Sequence, residues 1–146
     1  MISLRQIVLK YFYLGDSKYA PGTITSLCIA LIWFFIPNIF FVQFFILIFH
    51  IIIGFYCCYK FISTSGEKDP SYIVIDEVVG MIIPLLLLPK SVLLYIFSFL
   101  LFRLLDILKP SFIYRSQNYG YGIGIMLDDI IAGFITFIIV QAIVNG

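Results

Sequence analysis

The segment Ile39–Tyr59 runs for 21 residues without a formal charge. As a helix it reaches ~31 Å, which matches the ~30 Å hydrocarbon core of a bilayer. Four more apolar runs share the chain. Ile24–Ile36 closes at Pro37-Asn38, and a run from Ser91 to about Leu108 closes at Pro110. The last goes from about Gly124 to Val144. Between them, Asp69-Pro70 reads as a helix cap followed by proline at the first helical position. That predicts a helix over Pro70–Leu88, ended by Pro89-Lys90-Ser91. Ile24–Ile36 is short for a span, at ~20 Å. The expected fold is therefore all-α: a multi-span transmembrane helix bundle of four or five spans, a single domain over residues 1–146.

Composition agrees with a membrane environment. Hydrophobic residues make up 62% of the 146 and charged residues 12%, against about 45–50% and about 25% in soluble domains. The net charge of +1 supplies no basic field, so nucleic acid is not an expected partner. Cys28, Cys57 and Cys58 lie in apolar runs, with no metal-binding or redox spacing. With five spans and a cytoplasmic N-terminus, Arg5, Lys10, Lys18, Lys60, Lys68, Arg103, Lys109 and Arg115 fall inside. Only Lys90 falls outside, which is the sidedness the positive-inside rule favours. Every acidic residue then also falls on the cytoplasmic side.

Seven charges sit at or within the ends of apolar helices: Asp76, Glu77, Arg103, Asp106, Lys109, Asp128 and Asp129. Each would cost roughly 2.5–3.5 kcal/mol at a lipid-facing helix centre, so they are expected to face one another. Arg103, Asp106 and Lys109 are three apart and form one stripe on a helix. Asp128 and Asp129 open the last helix, where the dipole favours anions. Two basic residues do not balance five acids, and a divalent cation would. An all-oxygen donor set without His or Cys points to a hard ion, Mg²⁺ first. Pro21-Gly22-Thr23 opens a helix on the same side and offers free N–H groups to phosphate.

A carboxylate site at a membrane boundary suggests chemistry on a lipid headgroup. A Cys-x5-Arg nucleophile, an Asp-x-Asp pair and the pattern of CDP-lipid phosphotransferases are absent, and His50 is the single histidine. The segments 21–27 (PGTITSL), 69–81 (DPSYIVIDEVVGM), 102–110 (FRLLDILKP) and 122–133 (GIGIMLDDIIAG) resemble, in order and spacing, four signature blocks of the phosphatidylglycerophosphatase A family. The resemblance runs from about residue 15 to 140. It departs at Thr25-Ser26, where the family usually has Gly-Ser, and after Pro110, where Arg115 comes one position late. Tyr121 also replaces a usual glycine.

The resemblance implies a magnesium-dependent enzyme of the bacterial inner membrane, multi-pass and surrounded by membrane lipids. It would convert phosphatidylglycerophosphate to phosphatidylglycerol. Its polar positions here are Asp69, Asp76, Glu77, Arg103, Asp106, Lys109, Asp128 and Asp129. The expected division of labour gives Glu77, Asp106, Asp128 and Asp129 to Mg²⁺. Asp76 serves as base or water-orienting group. Arg103 and Lys109 stabilise the phosphoryl oxygens, with Gly22 and Thr23 also on the substrate, while Asp69 caps a helix. The competing expectation is a non-enzymatic membrane protein that binds or conducts divalent cations through the same acidic cluster.

Overall fold

The computed structural model describes residues 4–67, 70–110, 113, 120 and 122–146. Lys68, Asp69, Arg115 and Tyr121 lie outside them, so the expected Asp69 cap does too. Among the described residues the chain forms six helices and no strand. They are α1 (Leu4–Leu9), α2 (Pro21–Phe35), α3 (Phe40–Ser65), α4 (Ile75–Leu85), α5 (Val92–Leu108) and α6 (Ile123–Asn145). By length and composition α3 and α6 can cross a membrane. At 15 and 17 residues, α2 and α5 reach ~22 and ~25 Å.

Helices α2 to α6 run alternately between two ends of one bundle. At one end Gly22 of α2 lies against Glu77 of α4, and Lys109, after α5, against Asp128 of α6. At the other end Trp33 of α2 meets Leu85 of α4, and Lys90, before α5, meets the Trp33 carbonyl. The outward surfaces carry large apolar side chains, among them Phe41, Phe45, Leu93, Leu100, Phe134 and Ile138. The acidic side chains Asp76, Asp106, Asp128 and Asp129 are buried. A surface this apolar is that of a protein with a non-aqueous surrounding.

Helix α4 departs most from expectation. It spans 11 residues where the sequence predicts 19 from Pro70. The cause lies before Ile75. The Val74 N–H donates to Leu9 O at 2.8 Å, so this strand of backbone is tied to α1. Ile73 N–H closes a turn on Pro70 O. Ten of the 11 residues of α4 are buried, and α2, α3, α5 and α6 all pack on it. Beyond the Asp76-Glu77 turn this helix is apolar on every face, which is stable in such a position and not on a water-facing surface.

Two glycines allow the tightest packing. A Cβ on Gly133 would stand 2.4 Å from Gly80 O, and one on Gly80 would stand 2.9 Å from Asp129 O. The crossing of α4 and α6 therefore brings backbone against backbone, as small residues do between membrane helices. Pro84, inside α4, lacks the N–H that would bond Gly80 O four residues earlier. That freed carbonyl is the one lying against Gly133.

The far end of α4 stops short, and its carbonyls need donors. Trp33 Nε1 donates to Leu85 O at 3.0 Å, Asn38 Nδ2 to Leu88 O at 2.9 Å and Gln141 Nε2 to Leu86 O at 3.3 Å. Gln43 accepts the Leu87 N–H at 2.7 Å and donates to Pro37 O and Asn38 Oδ1. Four elements thus clasp one short helix, which meets the rule that backbone groups in an apolar medium find partners inside the protein. Gln43→Leu should lower stability by about 1–3 kcal/mol, because Leu87 N–H and its neighbours lose their partner. Gly133→Ala should cost a similar ~1–3 kcal/mol by overpacking. Thermal unfolding in detergent measures both, and an unshifted midpoint in either contradicts the packing described.

Candidate active site

The first turn of α4 carries Asp76 and Glu77, the last turns of α5 carry Arg103 and Asp106, and the second turn of α6 carries Asp128 and Asp129. Because the helices alternate in direction, these turns meet at one end of the bundle. They enclose a cavity of about 290 Å³. Asp76, Glu77, Arg103, Asp106, Lys109 and Asp129 line it, with Ala20, Pro21, Gly22, Ser71 and Ile73.

Within the cavity the charges divide into two groups. One oxygen each from Asp76, Glu77 and Asp129 lies within 4.8 Å of the others. One oxygen of each, Asp76 Oδ1, Glu77 Oε2 and Asp129 Oδ2, is buried and has no hydrogen-bond partner among the described residues. Three clustered carboxylates with bare oxygens form a strongly negative, all-oxygen pocket, which is the donor set of a hard divalent cation. The second group is paired. Arg103 Nη1 donates to Asp106 Oδ2 at 2.5 Å and stands 4.0 Å from Glu77 Oε1. Lys109 Nζ donates to Asp128 Oδ2 at 2.6 Å and lies 4.0 Å from Asp106 Oδ1. Burial opposes the Lys109 ammonium, but the hydrogen bond and charge of Asp128 outweigh it and hold its pKa above the ordinary value.

Backbone geometry presents these side chains. Lys109 has φ +39°, and this left-handed residue ends α5 and turns the chain so that the ammonium reaches α6. Ala20 has φ +42° just before α2. Of the six non-glycine residues with positive φ among the described residues, each at roughly 1–2 kcal/mol, these two border the cavity. Such strain often accompanies functional sites. Gly22, expected beside the substrate phosphate, lines the cavity. A Cβ there would stand 2.1 Å from Glu77 Oε1, so the glycine makes room for that carboxylate.

The structure thus gathers Asp76, Glu77, Arg103, Asp106, Lys109, Asp128 and Asp129, with Gly22 and Thr23, at one end, with a finer partition. Asp76, expected as the base, stands in the three-carboxylate cluster. Asp128, expected as a metal ligand, is bonded by Lys109 and does not line the cavity. Asp106, likewise expected on the metal, holds Arg103. Thr23 is half-buried on α2 and also outside the lining. Ser71, Ile73 and Ala20 line the cavity without having been singled out. Ser71 follows Pro70 in the turn before α4, and its hydroxyl was the one available signal. Ala20 and Ile73 carry none.

Gly22→Ala tests the close approach to Glu77. The added methyl displaces the carboxylate by about 1 Å, a misplacement worth ~10²-fold in rate. Phosphatase activity should fall by that order while the unfolding temperature stays near wild type. Unchanged activity would mean that Glu77 is not needed where it stands.

A family model described as Phosphatidylglycerophosphatase A matches residues 7–144. The chain is 36% identical over 127 residues to the phosphatidylglycerophosphatase A of Escherichia coli, covering 84% of this chain and 73% of that one. It is 36% identical over 128 residues to the protein of the same name from Haemophilus influenzae, at 85% and 78% coverage. A Bacteroides thetaiotaomicron protein, provisionally named as a phosphatidylinositol-3-phosphatase, is 36% identical over 135 residues, at 86% and 84% coverage. No solved structure matches the chain. With a family match over nearly its whole length and relatives at this identity, the chain belongs to the phosphatidylglycerophosphatase A family of phosphoric monoester hydrolases.

Proposed function

We propose that this protein is a Mg²⁺-dependent lipid phosphatase that hydrolyses phosphatidylglycerophosphate to phosphatidylglycerol and phosphate at the cytoplasmic face of a bacterial inner membrane. One observation carries the reading: Asp76, Glu77 and Asp129 cluster in a cavity beside Arg103 and Lys109, and each has a buried oxygen with no hydrogen-bond partner among the described residues. Family membership supports the substrate. The apolar outer surface and the two long apolar helices support the membrane. Sidedness follows from Lys and Arg. Arg5, Lys10, Lys18, Lys60, Arg103 and Lys109 belong to the site half of the chain's path, and Lys90 to the other end.

Asp76, Glu77 and Asp129 would hold the cation. Bound there, Mg²⁺ supplies charge neutralisation, polarisation of a phosphoryl oxygen and a lowered pKa for water. The chain's own groups do the rest. Arg103, oriented by Asp106, offers its guanidinium to the phosphoryl oxygens. Lys109, fixed by Asp128, supplies a second positive charge at the mouth. An oxygen of Asp76 not used for binding accepts the proton of the attacking water. Gly22 leaves the room in which Glu77 stands. Asp128 and Asp106 act here as positioning residues for the two cations.

Phosphate release from phosphatidylglycerophosphate by purified protein in detergent tests the reading. Activity should vanish with chelator and return with excess Mg²⁺. Asp129→Asn should lose at least ~10²-fold, since even groups that only support a metal ligand are worth 10–100-fold. Phosphatidylinositol 3-phosphate, the substrate in the name of the Bacteroides relative, belongs beside it as a competitor. Preference for that lipid would move the headgroup assignment and leave the cavity chemistry standing. Chelator-resistant release would remove the metal.

A further inference from the structure

A second cavity lies between α2 and α5, farther along the same two helices that border the active site. It has a volume of about 200 Å³ and apolar walls. Leu27 and Leu31 of α2 and Ile96 of α5 stand at its rim and are exposed, while Ala30 and Tyr95 at its floor are buried. The register of the helices ties it to the site. On α5, Ile96, Phe99, Arg103 and Asp106 follow at intervals of three, four and three, so they share one face. The two apolar members line the groove and the two charged members line the catalytic cavity. On α2, Leu27 stands one turn beyond Thr23 on the same face, and Thr23 in turn adjoins Gly22 at the cavity. The groove begins at Leu27, five residues or ~8 Å from Gly22, and runs to Phe35 and Val92 at the far ends of the two helices, ~20 Å from Gly22.

We propose that the α2–α5 groove is the acyl-chain subsite of the lipid substrate, which reaches the catalytic cavity sideways from the membrane. This rests on the phospholipid phosphatase reading above. A lipid whose phosphate meets Arg103 has its glycerol between Arg103 and Phe99 of α5 and one acyl chain along Phe99 and Leu27. The continuity of one helix face from charge to hydrocarbon selects the substrate's own chain over an unrelated lipid. Small Ala30 sets the depth of the groove.

Ala30→Leu raises the floor and tests this. For dipalmitoyl phosphatidylglycerophosphate the variant should show KM raised about tenfold with kcat near wild type, because apolar contact in ground and transition states is lost alike. For the dihexanoyl lipid the change should stay within about twofold. Equal effects on both lipids, or no effect on either, overturn the proposal. A readout on wild-type protein guards against misfolding of the variant. A phosphatidylglycerophosphate with a photoreactive group in its acyl chain should label Leu27, Leu31 or Phe99, and unlabelled phosphatidylglycerophosphate should suppress this where phosphatidylcholine does not. Equal suppression by phosphatidylcholine, or labelling confined to the outer face of α3, overturns it. If wild-type protein releases no phosphate from either lipid, the enzymatic reading has failed and not the groove alone.

Discussion

Helix α4 is surrounded by protein, so each of its polar groups must find its answer within four neighbouring helices. That demand organises both ends of the molecule. At one end the carbonyls of Leu85, Leu86 and Leu88 draw in Trp33, Gln141 and Asn38. At the other end Asp76 and Glu77 bring together the charged turns of α5 and α6. The close passage of Gly80 and Gly133 sets the spacing between these two ends. A bulkier crossing would move Asp129 away from Asp76, since α4 and α6 carry the two residues.

Electrostatics and packing are coupled at the site in an asymmetric way. Both basic residues are already engaged with a carboxylate, Arg103 with Asp106 and Lys109 with Asp128. A buried pair of this kind contributes little net stability, but removing one partner leaves an expensive lone charge. Among the described residues the remaining three carboxylates have no such cationic partner at hydrogen-bond distance, and their unpartnered oxygens are the unbalanced element of the site. Arrangements of this kind favour function over stability: the cavity is held open by helices whose stability comes from the apolar middle layer and the far clasp.

Much of this was legible in the sequence because charge in an apolar run is costly and therefore informative. Asp76, Glu77, Arg103, Asp106, Lys109, Asp128 and Asp129 stood out on that ground and do converge. Their partition was not legible. Neighbours on a helix point ~100° apart, and nothing in the string Asp128-Asp129 says which one faces α4 and which faces Lys109. The length of α4 was hidden as well. Asp69-Pro70 carries a strong start signal, whereas the tie between Val74 and Leu9 is a tertiary contact. Gln43 and Gln141 gave the same kind of clue as the charges, a polar side chain within an apolar run. Their role depended on knowing that α4 ends early.

The middle of the bundle has a further consequence. Between the carboxylates and the glutamine clasp, α4 places Val79, Ile82 and Ile83, each at most 2% exposed. Hydrocarbon there separates two polar zones that otherwise lie in line across the molecule. An enzyme that keeps acidic groups within a membrane could short-circuit the ion gradient that the membrane maintains. With the bundle set in a membrane as proposed, this layer would act as a dielectric seal between the two polar zones.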